Sequence, residues 1–137
     1  MTYQGDDILR FIPQRNPFVM VDEFEPRGDQ EAVTALTIPA DCYFLLPDGT
    51  MAETGLVEHM AQSCSALAGY KAAADSAPIG IIGEVRHFVC HRRPLAAERL
   101  TTHVAFGFSF GQVTMAHCTT TVGDEPVAET DLKIFMQ

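Results

Sequence analysis

The sequence predicts an α+β fold in which one long helix packs against a strongly curved antiparallel sheet, and three observations lead to it. Residues 53–70, ETGLVEHMAQSCSALAGY, read as a long helix made to be buried, with Leu56, Val57, Met60, Ala61, Cys64, Leu67 and Ala68 as its apolar set. The same helix is rich in small residues, among them Ser63, Ser65, Ala66 and Gly69, so a neighbouring layer can approach it on more than one side. After Pro78 the chain reads as a run of strands. One helix followed by consecutive strands is the α+β pattern, with the helix packed on one face of a strongly curved sheet.

The elements follow in order. DDILRFIP predicts a short helix, with Asp6 and Asp7 favourable at its N-terminus and Pro13 ending it. PFVMVDEFEP reads as a strand, and GDQ turns it into EAVTALTIP, whose residues alternate between two faces. Residues 39–50 form a loop rich in turn-formers. The long helix then has two candidate starts, a capping box of Thr50 with Glu53 or a cap at Thr54, and it ends by about Ala74. IGIIGEVRHFVCHRRPL, ERLTTHVAFGF, GQVTMAHCTTTV and PVAETDLKIFM are the later strands, joined by turns such as SFG and GDE.

At 137 residues the chain is read as a single domain, 1–137. No apolar run reaches the ~20 residues of a membrane span, and the N-terminus lacks the basic and apolar regions of a signal peptide. Cys42, Cys64, Cys90 and Cys118 lie far apart with no CxxC pair, which predicts reduced, mostly buried thiols and a cytoplasmic location. The net charge of −9 argues against nucleic acid as a partner. Arg86, Arg92, Arg93 and Arg99 are nevertheless concentrated in one stretch. That stretch is either a docking patch for an acidic or phosphorylated partner or a solvated strand end balanced by nearby acids.

Glu58 and His59 are the puzzle. They sit side by side near the start of a helix that otherwise heads for the core. An acid near a helix N-terminus can merely complement the dipole, and a lone histidine there can be structural. The order of IPQRNPFVMVDEF, GLVEHMAQS and VRHFVCHRRPLAAERL resembles the hotdog-fold (3R)-hydroxyacyl-ACP dehydratases, and the segment Glu58-His59-Met60-Ala61-Gln62 matches best. The resemblance covers nearly the whole chain, which also looks similar to a divergent branch of hotdog dehydratases linked to polyene-type pigment assembly.

That resemblance implies a curved antiparallel sheet of five or six strands wrapped round one long central helix, and a dimer with sites shared between subunits. The dimer is expected to be a homodimer, or a heterodimer with a second hotdog subunit. It implies an acyl-ACP or acyl-CoA thioester as ligand, an acyl carrier protein as partner, and no cofactor. The reaction is elimination of water, in which a base removes the α-proton and an acid protonates the leaving hydroxyl. Glu58 takes the place of the family glutamate. Gln62, one turn on, is placed to orient its carboxylate. Gly55 lies where backbone N–H groups at the helix start approach a thioester carbonyl. Arg92 and Arg93 are the expected contacts to the carrier or its phosphate.

The pattern breaks at the second catalytic group. YFLLP stands where the family has a histidine, with Leu45 or Leu46 at its position, and Gln14 replaces another family histidine. No histidine precedes His59 in the chain. Three repairs stay open. His59 itself is a candidate catalytic residue, although adjacent helix residues point roughly 100° apart. His87, His91 or His117 on a later strand, from either subunit, is another source. The third is a chain that no longer dehydrates alone but pairs with an active subunit. A thioesterase on the same fold, using a helix carboxylate to direct water, is the alternative activity. His87, Cys90 and His91 invite a zinc reading, but strand spacing puts the two histidines roughly 13 Å apart with Cys90 facing away, so no metal is expected.

Overall fold

The computed structural model describes residues 1–72 and 80–136. The elements are β1 (Tyr3–Gln4), a 3-10 helix (Gly5–Arg10), β2 (Glu23–Arg27), β3 (Glu31–Thr37), α1 (Glu53–Ala72), β4 (Gly80–Cys90), β5 (Arg99–Phe110), β6 (Val113–Val122) and β7 (Glu125–Met136). They form one antiparallel sheet in the order β1-β2-β3-β5-β6-β7-β4. The two-residue β1 makes the seventh strand; a strand this short leaves no trace in the apolar pattern. Gly111 and Gly123, at φ of 60° and 59°, turn the two hairpins that link β5 to β6 and β6 to β7.

The sheet curls round α1, which touches strands from β2 to β6. Its run from Gln62 to Leu67 is buried without a break, so no helix face is left to solvent there. Small residues make this possible. A Cβ on Gly69 would collide with the Phe11 carbonyl, and one on Gly55 would lie 2.7 Å from both Met51 Cγ and Phe44 Cβ. The C-terminal half of the helix is closed by Tyr3, Phe11, Phe24 and Tyr70, whose ring centroids lie 4.9–6.2 Å apart.

Strand alternation sorts the sheet into two faces. Leu100, Thr102, Val104, Ala116, Cys118, Thr120, Leu132 and Ile134 are buried toward α1, and Cys118 Sγ lies 3.5 Å from Cys64 Sγ. His103, His117 and Asp131 face the other way. The core is apolar except for a narrow polar seam. Thr34 Oγ1 lies 2.7 Å from Ser63 Oγ, and Ser63 donates to the His59 carbonyl. A pair of threonines, Thr102 and Thr120, lies under the His59 ring.

Two local expectations need correction. The strand read over 17–26 begins only at Glu23, because the Phe18 carbonyl and both backbone groups of Met20 bond helix side chains instead of a ladder. Neither threonine caps α1. Thr50 bonds Asp48 and accepts from Arg93, and Thr54 lies inside the first turn. Ala74, the expected last helix residue, lies outside the described residues.

Candidate active site

The candidate site is built where α1 meets the irregular segment Phe18–Met20. Glu58 and Gln62, four residues apart, share a helix face, and Gln62 Nε2 donates to Glu58 Oε2 at 2.7 Å. The second amide hydrogen goes to the Phe18 carbonyl at 2.7 Å, and Gln62 Oε1 accepts the Met20 N–H at 2.6 Å. The Met20 N–H is only a donor, so this pairing settles the orientation of the amide. Gln62 is fully buried, while Glu58 is half-buried. Among the described residues Glu58 Oε1 takes no hydrogen bond. The side chain of Phe18, whose carbonyl takes the second Gln62 amide hydrogen, forms an exposed aromatic pair with Tyr43, with ring centroids 5.1 Å apart. A cavity of about 340 Å³ opens beside the same segment, between Asn16, Val19, Met20 and Cys42.

His59 points elsewhere. Its ring is completely buried, with Nδ1 2.6 Å from the Met20 carbonyl and Nε2 2.8 Å from Thr102 Oγ1. A carbonyl only accepts, so Nδ1 carries the hydrogen and Nε2 accepts from the Thr102 hydroxyl. Burial holds the imidazolium form down, with the pKa lowered to about 4 against a smaller opposing pull from the Met20 carbonyl and the Asp22 charge. His59 is therefore neutral near pH 7, and neither nitrogen is open to a ligand. The reading of His59 as a proton-transfer group gives way to this geometry.

Gly55 also differs from expectation. Its close approach is to Met51 and Phe44, not to open space, and its N–H donates to the Ala52 carbonyl at 2.8 Å. The arginine stretch is no free basic patch either. Arg92 is clasped by Glu98 and Glu125 at 2.8–3.1 Å, which pushes its guanidinium pKa further up and holds both carboxyls below their usual range. Arg93 meets Asp48, Arg86 meets Glu84, and Arg99 meets Asp22 and Glu23. Each of the four positive charges lies against a carboxylate.

Within one chain the strand histidines do not reach the site. His87 and His117 both bond Asp131 on the face of the sheet away from α1, and together they hold its carboxyl below the usual range, His117 more than His87. His103 pairs with Glu31, and His91 is exposed just beyond β4. Among the described residues no group of three or more His, Cys, Asp or Glu is arranged to hold a metal ion, and no helix is long and apolar enough to cross a membrane.

The sequence reading missed Met20, Thr102 and Thr120. Their signal was present. Thr102 and Thr120 occupy strand positions whose neighbours two residues away, Leu100, Val104 and Cys118, are buried and apolar.

The chain is similar to known proteins over nearly its whole length. It superposes on a chain of the dehydratase heterocomplex ApeI:P from Xenorhabdus doucetiae with a TM-score of 0.86 at 16% identity, covering 95% of this chain and 90% of that one. A hypothetical thioesterase with coenzyme A from Streptococcus pneumoniae gives 0.68 at 11% identity, covering 83% and 84%. The PaaI protein of E. coli, from the phenylacetic acid degradation operon, gives 0.66 at 13%, covering 82% and 80%. Likenesses at this level of identity show the fold, which is the hotdog fold. No curated protein matches the chain. The ApeP-like family, described as ApeP dehydratase, matches residues 6–137, and the chain belongs to that family.

Proposed function

We propose that this chain forms one half of a composite dehydratase site that eliminates water from a 3-hydroxyacyl thioester, with a second hotdog subunit supplying a histidine. The observation that carries this reading is the state of Glu58. Its carboxylate is gripped on one oxygen by Gln62 and takes no hydrogen bond on the other, and among the described residues no histidine bonds it. Elimination breaks a C–H bond at the α-carbon and a C–O bond at the β-carbon, so two groups must move protons. Glu58 is one of them. The other comes from the partner. The ApeI:P structure, whose name records a dehydratase heterocomplex, supports pairing with a different hotdog chain.

The sheet offers a place for that partner. Among the described residues β4 is an eleven-residue edge strand bonded only to β7, and its Ile81, Val85 and Val89 are 49%, 41% and 41% exposed. A long apolar edge is a template for an added strand, whereas the opposite edge is blunted by the two-residue β1. Sedimentation of the chain alone and with a histidine-bearing hotdog homologue tests the association. A 15.0 kDa species under both conditions at micromolar concentration contradicts it.

Activity is tested with a 3-hydroxyacyl thioester carried on pantetheine, coenzyme A or acyl carrier protein. An enoyl thioester formed only when both subunits are present supports the composite site. A free acid plus thiol supports the second reading, a thioesterase, which the fold shared with the coenzyme A-bound protein of Streptococcus pneumoniae favours. If the mixture remains active when Glu58 is replaced by Gln, the chain is a non-catalytic partner subunit.

A further inference from the structure

Resting on the reading of Glu58 as the proton-transfer group, we propose that His59 is a positioning residue that, with Thr102, fixes the Glu58 carboxylate through Met20 and Gln62. The hydrogen bonds form one path from the sheet to the site. Thr102 Oγ1 lies 2.8 Å from His59 Nε2, a ring nitrogen that can only accept, so the Thr102 hydroxyl donates to it. That leaves Thr120, 2.6 Å away, as donor to Thr102. His59 Nδ1–H donates to the Met20 carbonyl, the Met20 N–H donates to Gln62 Oε1, and Gln62 Nε2–H donates to Glu58 Oε2. Every donor in the path points toward Glu58.

Met20 is the pivot. Its carbonyl and its N–H belong to different peptide units, so what passes through it is position rather than charge. Its backbone is gripped by His59 on one side and by Gln62 on the other, in a segment that has no strand ladder to hold it. Thr102, Thr120, His59, Met20 and Gln62 are all essentially unexposed. A lost bond at any step leaves a buried polar group unpaired, and water has little access to replace it. The arrangement therefore tolerates one geometry. The same contacts explain why a helix destined for the core opens with an imidazole beside a carboxylate. The carboxylate faces the substrate side, and the imidazole anchors the backbone that aims it.

The test uses this chain assembled with a histidine-bearing hotdog partner and a 3-hydroxybutyryl pantetheine thioester. His59→Leu and Thr102→Val are each expected to lower kcat while leaving KM within about two-fold, because a carboxylate misplaced by about 1 Å can cost on the order of 10²-fold in rate. His59→Leu takes the larger loss. His59→Asn, which keeps a donor near the Nδ1 position, is expected to recover part of the kcat lost in His59→Leu. A kcat unchanged in His59→Leu, or a His59→Asn variant no better than His59→Leu, overturns the proposal. A second measurement needs no turnover. Nitrogen-15 NMR of the chain alone is expected to show His59 as the neutral Nδ1–H tautomer, and the Gln62 side-chain amide protons are expected to exchange slowly in wild type and faster in Thr102→Val. A Nε2–H tautomer, or amide exchange unaffected by Thr102→Val, overturns the relay even if the complex dehydrates. If the complex forms no enoyl thioester while these NMR signatures are present, the relay stands and the dehydratase reading falls.

Discussion

On the concave side of the sheet, His59 has no exposed atom and each ring nitrogen meets one fixed partner; on the convex side, His87 and His117 share Asp131 with side chains 72% and 51% exposed. The residue types are the same, and the hydrogen-bond lengths overlap, 2.6 and 2.8 Å inside against 2.7 and 3.1 Å outside. What differs is the alternative open to each group when its bond is broken. An exposed imidazole or carboxylate turns to water at little cost, so its pairing constrains nothing. A buried imidazole has no water to turn to, so the same bond becomes a positional constraint. Burial, rather than residue identity, makes the inner cluster a device for aiming Glu58 and leaves the outer one as ordinary surface pairing. The arginines obey the outer rule. Arg92 and Arg93 looked like a docking patch in sequence because two of the acids that meet them, Asp48 and Glu125, lie 45 positions from Arg93 and 33 from Arg92, while only Glu98 sits in the same loop.

The sharpest test of this contrast lies at the end of the inner network. Glu58→Gln keeps the shape and can still hydrogen-bond Gln62, but it cannot transfer a proton. In the assembled complex it should lower turnover by ~10²–10⁴-fold with the fold intact, as judged by circular dichroism and thermal melting. Full turnover in this variant removes Glu58 from the chemistry.

A second test is thermodynamic. His59 has its pKa lowered from 6.5 to about 4 in the folded chain, so between those values the unfolded chain binds the proton and the folded chain does not. The contribution is fully present above pH 6.5 and is lost as pH falls toward 4. At about 1.4 kcal/mol per pH unit, the loss across that window is about 3 kcal/mol. Urea unfolding at pH 7 and pH 4 should therefore show wild type losing more stability than His59→Leu by roughly that amount. Equal losses in the two chains would mean that His59 titrates as an exposed group.

The smallest effect is expected outside. Asp131→Asn removes the charge that both outer histidines meet, yet the pairs are solvated and its cost should stay under about 1 kcal/mol at any pH from 6 to 8. A loss of several kcal/mol would place the convex cluster under the inner rule and erase the comparison.

The residues of this chain determined much by themselves. The small-residue helix, the strand run after Pro78, the hairpin turns and the Glu58–Gln62 spacing follow from periodicity and local geometry, which need no tertiary partner, and the structure has all of them. The family likeness was legible too, because it rests on the order of short motifs along the chain. The tertiary structure decided whatever depends on residues distant in sequence. It unwound residues 18–20 from the expected strand, because Gln62 and His59, some forty positions away, offer the Phe18 and Met20 backbone better-placed partners than a neighbouring strand does. It matched every arginine of the basic stretch with an acid from elsewhere in the chain or two residues along the strand. It also turned His59 inward onto Thr102 and thereby set its charge state. The free energy of an ionisable group is fixed by the solvent and partners that surround it, and those are properties of the folded chain.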